Sequence, residues 1–299
     1  MPDIALRFNK DMLVLSTPID YQLNAQGFTE ATDREYVALC EPELIEEAYK
    51  LEKVIETPCF VTATEGITRA RLAYARFENQ ADEMAQVAYE TAAQFSPQHV
   101  IAVVGPSGLP LDYTSASSLK QSKQQYHDAV QALMVHPFDA VLFSAFSNAY
   151  DAQCALMGAR AIYDGPLMIS LAPNAEGVLA DGSTFAEAVA LCDEYGADVI
   201  GFASSAPFAN LVSFARTAAN ITQKPLYADI QVVRKDSRQF EATEENPYPT
   251  PDHVVNVAWA LRECGVQFLR ASGAATPSYT GALVATVMGH DVVVDPQNQ

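Results

Sequence analysis

The sequence predicts an α/β protein built as a single (β/α)8 TIM barrel over residues 1–299, and three observations carry that prediction. Short apolar β-type runs alternate with amphipathic helical segments from one end of the chain to the other. The runs are continuous, as in VIAVV at 100–104 and LMISL at 167–171, which strands buried on both faces require. Eight strand–helix units fit within 299 residues, close to the ordinary size of such a barrel. A doubly wound open sheet uses the same alternation and is the competing arrangement.

The elements follow in order. The first strand is Met12 to Ser16, closed by Thr17-Pro18. An acidic helical segment comes next, where Pro42 marks a helix start and Leu44, Ile45, Ala48 and Leu51 share one face. Val54 to Phe60 reads as the second strand and its exit loop, and the helix from about Ala81 to Phe95 sets Met84, Val87, Ala88 and Ala92 on one side. Strand 100–104 runs into Gly105-Pro106-Ser107-Gly108. Helix 119–135, strand 140–143 and helix 148–162 precede strand 167–171. Helix 184–195 stops at Gly196, and strand 199–202 stops at Ala203-Ser204-Ser205. Helix 208–221 and strand 226–230 lead to a polar, proline-bearing loop (235–251) and helix 252–264. The last strand starts at Gly265, and Thr276-Pro277 opens the final helix as N-cap and first helical residue. The tail after about residue 290 reads as loosely held.

Composition excludes several partners. With 37 acidic against 18 basic residues, the net charge of -19 repels nucleic acid and anionic membrane surfaces. No basic leader precedes an apolar run, and no apolar stretch approaches the roughly 20 residues of a spanning helix. The five cysteines are scattered without ligand-like spacing, as expected of reduced thiols in a cytoplasmic protein, and Cys154, Cys192 and Cys264 read as core residues. Neither a GxGxxG turn nor a P-loop is present.

In this barrel the C-terminal ends of the strands build the site. That directs attention to Ser16, Thr57 to Cys59, Gly105 to Ser107, Ser144, Ser170, Ser204, Asp229 and Arg270 to Gly273. Arg270 is unusual there, because a buried guanidinium needs an anionic ligand or a structural partner; Asp229 and Glu56 are the candidates for the latter. Strand parity puts Arg270 and Ser272 on one face. Cys59 is read at a strand tip, with all five histidines read as helix or loop surface residues that leave it without an activating base. Asp229 with Glu56 is the one carboxylate pair that a lyase or hydrolase would need.

Several segments together resemble the homocysteine S-methyltransferase family, including the homocysteine-binding module of cobalamin-dependent methionine synthase. LSTPIDYQL (15–23) stands where the family has its LDGAMGTML-like opening, and IETPCF (55–60) is similar to its TNTF strand end. VGPSG (104–108) resembles the GSIGPTG turn, ADVIG (197–201) the ADAIG strand, and GVQFLRASGAATP (265–277) the GVNIIGGCCGTTP signature. The resemblance implies a zinc ion on three cysteines that holds homocysteine as a thiolate. It puts Ser204, Ser272 and Gly273 at the cysteine positions, and Ser16 and Ser144 where acids would hold the substrate ammonium.

The expectation is therefore a methyltransferase of this type without the zinc. Ser16, Thr57, Ser144, Ser204, Asp229, Arg270, Ser272 and Gly273 line its small-molecule site, and a folate or corrinoid is its methyl donor. A corrinoid protein or a second copy of the chain is compatible with it as partner. The alternative is a non-catalytic relative that binds a ligand or a partner protein.

Overall fold

The computed structural model describes residues 3–30, 32–233 and 239–289. The tail after residue 290 lies outside the described residues. Eight parallel strands form one sheet in the order β1-β8-β7-β6-β5-β4-β3-β2. They are β1 (Leu13–Val14), β2 (Cys59–Val61), β3 (His99–Val104), β4 (Ala140–Phe146), β5 (Leu167–Leu171), β6 (Val199–Ser204), β7 (Leu226–Val232) and β8 (Val266–Gly273). Helices pack outside: α1 (Asp20–Gln26), α2 (Asp33–Cys40), α3 (Pro42–Ile55), α4 (Arg69–Tyr74), α5 (Ala81–Ala93), α6 (Ala116–Leu133), α7 (Ala149–Arg160), α8 (Phe185–Glu194), α9 (Phe208–Ile221), α10 (Asp252–Glu263) and α11 (Pro277–Val287).

The sheet closes through a narrow seam. β1 pairs with β8 on one side, Leu13 against Phe268 and Val14 against Leu269. On the other side a single bridge, Leu15 to Cys59, joins β1 to β2. The Ser16 N–H donates to the Cys59 carbonyl at 2.8 Å, and the Ser16 hydroxyl accepts from the Val61 N–H at 2.8 Å. A side chain thus stands in for a missing ladder bond, so the seam keeps its backbone groups paired.

Two cores follow from strand parity. Inward residues such as Leu15, Val61, Ile101, Leu142, Met168 and Phe268 fill the lumen, while outward ones pack under the helices. A 3₁₀ turn, Ile4–Arg7, plugs the N-terminal end: Ile4 is fully buried with the lumen cluster, and Phe8 meets Phe268 edge-on at 5.9 Å.

The second strand departs from the expectation. Val54 and Ile55 belong to the last turn of α3, which ends where Glu56 adopts a left-handed φ of 62°. Because a glycine usually marks that position, the helix end is hidden in the sequence. The strand proper starts four residues later, at Cys59. At the last helix Pro277 takes the first position, but Thr276 makes no capping bond and its hydroxyl pairs with Ser278 at 2.7 Å instead.

Candidate functional site

The C-terminal mouth has a polar floor. On β7, Asp229 faces inward above Tyr227, and its register partner on β8 is Arg270. The Tyr227 hydroxyl donates to Asp229 Oδ2 at 3.3 Å, while Asp229 Oδ1 has no partner. Arg270 donates its Nε to the Ser16 carbonyl at 3.0 Å, tying the floor to the barrel seam. Burial pushes the Asp229 carboxyl above its ordinary value, and Arg270, Ser272 and Tyr227 pull it back only in part. The same burial, reinforced by Asp229, holds the Tyr227 hydroxyl protonated.

Above the floor, Arg34 of α2 bridges Asp20 and Glu65 in a pair of ion pairs. Beneath that bridge is a cavity of about 10 Å³ bordered by Arg270, Val61, Thr62 and Val103, room for one water-sized group. On the β5–β7 side the mouth opens into a groove of about 510 Å³, lined by Pro173, Ser204, Ser205, Gln231 and the exposed Glu244 and Glu245.

The serines differ in what they do. Ser16 is spent on the seam. Ser204 donates to the Pro173 carbonyl at 3.2 Å and accepts from the Ala206 N–H at 3.3 Å, so it braces the loops after β5 and β6. Ser144 makes no side-chain hydrogen bond among the described residues. It sits in a bulge of β4, where Ala145 has a φ of 59° and its N–H is held by the Ser170 hydroxyl at 2.8 Å. A non-glycine residue in that region stores about 1 kcal/mol of strain or more, which fits a bulge shaping a site. Ser272 flanks Asp229. Gly273 has a φ of 68°, and a Cβ there would meet the Val232 carbonyl oxygen at 2.6 Å.

Two residues lie elsewhere. Thr57 precedes β2, on the N-terminal side of the strand, and donates to Glu52 Oε2 at 2.6 Å. That carboxylate also accepts from the Thr17 N–H at 3.0 Å, which makes it a buried anchor between α3 and the β1 loop. Glu56 is exposed at the end of α3, so it forms no carboxylate pair with Asp229.

Cys59 is the first residue of β2, not its tip, and its register partner is His99, which is fully buried rather than at the surface. Asp139 Oδ1 stands 3.5 Å from His99 Nδ1, so cysteine, histidine and aspartate do converge. They do so at the closed end. Burial raises the Cys59 thiol far above its ordinary value, and neither ring nitrogen of His99 has a hydrogen-bond partner. A lone histidine before VIAVV gives no signal of being the first inward residue of a strand. The residues the sequence reading missed at the mouth, Arg34, Glu65 and Asp20, are surface-type charges with no local pattern.

The profile of the homocysteine S-methyltransferase family matches residues 17–269. The chain belongs to that family. The match ends at Leu269, one residue before Arg270 and the strand end that carries Ser272 and Gly273. In structure, the homocysteine methyltransferase MmuM from Escherichia coli in its metallated form is similar over 92% of this chain and 96% of that one, with a TM-score of 0.73 at 18% identity. Its oxidized form gives the same score at 19% identity over the same shares of the two chains. The carboxyl transferase domain of Rhizobium etli pyruvate carboxylase aligns over 90% of this chain and 41% of that one, with a TM-score of 0.53 at 11% identity. At such identities the likeness is one of fold. No curated protein sequence matches this chain. Among the described residues no helix is long and apolar enough to cross a membrane.

Proposed function

We propose that this family member transfers a methyl group at its barrel mouth, on a small substrate or from a folate or corrinoid carrier, without zinc-thiolate activation. The observation that carries the reading is the donor set at the three positions where the resemblance puts cysteines. A serine hydroxyl is a poor zinc ligand. That of Ser204 is engaged by Pro173 and Ala206. Position 273 has no room for a side chain, because its left-handed backbone puts a Cβ against Val232. Among the described residues no three His, Cys, Asp or Glu side chains gather as a metal site. Zinc does not fit these residues.

What the chain supplies instead is placement. Arg270 and Asp229 put ionisable groups on the floor, Ser144 makes no side-chain hydrogen bond among the described residues, and the Arg34 bridge covers the cavity beside Arg270. Holding two reactants in line in such a site is worth about 7–11 kcal/mol of barrier in favourable cases.

The test is metal content on the purified protein, with titration of homocysteine on the same sample. A metal-free protein that ignores homocysteine, yet demethylates methylcobalamin or 5-methyltetrahydrofolate when offered other acceptors, is the expected result. Stoichiometric zinc with homocysteine binding overturns the reading. The bridge across the mouth favours a second one, a non-catalytic ligand-binding relative; saturable ligand binding with no methyl transfer decides for it.

A further inference from the structure

Beside the mouth, a second pocket lies between α9, α10 and the loop that follows β7, with no strand residue in its lining. It holds about 360 Å³, within the range of small-molecule sites, and its walls are Pro207, Phe208, Pro247, Tyr248 and Val257. These walls are set before any ligand arrives. Tyr248 is buried and donates its hydroxyl to the Ala206 carbonyl at 2.8 Å, while its own carbonyl accepts from the Tyr279 hydroxyl at 2.9 Å. The lip is held by a turn in which the Thr243 N–H donates to the Asn246 carbonyl and the Asn246 N–H to the Thr243 hydroxyl, both at 3.1 Å. Phe208, the first residue of α9, stays 39% exposed on this preformed apolar slot, although an aromatic ring gains from being covered.

The polar groups of the pocket select its ligand. Among the described residues no lysine or arginine lines it, and Glu244 is its one carboxylate, exposed and without an ion pair. In a chain of net charge -19, that carboxylate repels an anion and attracts a cation. The ring walls add to the attraction, since aromatic faces favour cations. We propose that this pocket binds an aromatic amine, its ring against Phe208 and Tyr248 and its ammonium on Glu244. His253 commits Nδ1 to the Thr250 hydroxyl at 2.7 Å, and the Asn256 amide makes no side-chain hydrogen bond among the described residues, so both can meet a polar substituent on the ring. Pro207 and Glu244 also border the groove on the β5–β7 side of the mouth, so the ammonium end lies on the way into the barrel. The site stands whether or not the mouth transfers methyl groups.

The experiment is calorimetric titration of the full-length protein with 2-phenylethylamine, 3-phenylpropionate and propylamine, with no methyl donor present. 2-Phenylethylamine should saturate a single site and bind at least about tenfold more tightly than the acid with the same ring or the amine without one. The general field of an acidic chain also draws amines, and two variants separate that field from the pocket. Glu244→Gln and Glu245→Gln remove the same charge from neighbouring exposed residues, but only Glu244 lines this pocket. Glu244→Gln should weaken the amine at least about fivefold, and Glu245→Gln by less than about twofold. Phe208→Ala, at a half-exposed position that the fold tolerates losing, should weaken the amine about fivefold or more. Equal losses in the two glutamate variants, equal affinity for amine and acid, an unchanged affinity in Phe208→Ala, or no saturable binding overturns the site. None of these results bears on the metal-content test, and zinc with homocysteine binding would overturn the methyl-transfer reading without touching these titrations.

Discussion

At the N-terminal end of the barrel, Ile4 and Phe8 press into the lumen over Phe268, and the polar residues there, Cys59 and His99, are sealed behind them. At the C-terminal end the lumen is topped by Asp229, Arg270 and Ser272, with a charged bridge above and a groove beside. Both ends bury ionisable groups, and the upper one leaves Asp229 Oδ1 without a hydrogen-bond partner. Burial alone therefore does not mark a site: the lower cluster has the residue types of a nucleophile triad, yet its thiol is held protonated and has no opening. The upper cluster has weaker residue types, but Arg270 borders a small cavity beneath the partly exposed Arg34 bridge. If the comparison is right, substitutions below should act on stability alone, and substitutions above on stability, binding and pH dependence together.

The largest expected effect is at the top. Arg270→Met leaves the Asp229 carboxyl without its compensating charge, a change that typically destabilises by about 3–5 kcal/mol. The double variant with Asp229→Asn should recover most of that loss in denaturant unfolding. Equal losses for the single and double variants would mean the two groups do not sense each other, and the floor would have to be described again. Below, Ile4→Ala removes a fully buried plug and should cost about 2–5 kcal/mol while leaving the pH dependence that Asp229 contributes unchanged. A change in that pH dependence, read by unfolding across pH, would break the separation between the ends.

Ser16→Ala tests the seam that joins them. It strands the Val61 N–H, for an expected loss of about 1–3 kcal/mol, and frees the strand whose carbonyl holds Arg270. Unfolding measurements should show the loss. Unchanged stability would mean water replaces the hydroxyl.

The barrel was legible because strands such as β3 and β5 are continuous apolar runs, and such runs fit a parallel sheet buried on both faces. β2 was not: Pro58 and three residues, Cys59–Val61, follow a helix whose own apolar face runs straight into Val54-Ile55. At the site, parity was enough to set Arg270 on one face with Ser272, but it left Asp229 and Glu56 both open as its partner; the register of β7 on β8 puts Asp229 opposite it. The work of Ser16 and Ser204 was hidden because both bond to backbone groups at least two residues away, in one case 45 and in the other 31 positions along the chain. Composition reads a hydroxyl as a pocket group; only the fold tells whether it is already spent.

The smallest effect is the most diagnostic for the floor of the mouth. Burial raises the Asp229 carboxyl, so the folded protein holds that proton more tightly than the unfolded chain, whose ordinary value is 3.8. Stability then falls as pH rises, because the unfolded chain releases the proton first. The contribution is complete below 3.8 and is lost as pH climbs through the raised folded value. Asp229→Asn does not titrate, so its stability relative to wild type should improve as pH rises from about 3.8 toward neutrality. The other buried carboxyls that burial raises, Glu52 and Asp151, are common to both proteins and cancel in the difference. Thermal unfolding of the two proteins across that range measures it. A difference moving the opposite way would mean Arg270 already holds the carboxylate as a tight ion pair, with Oδ1 closed to any ligand.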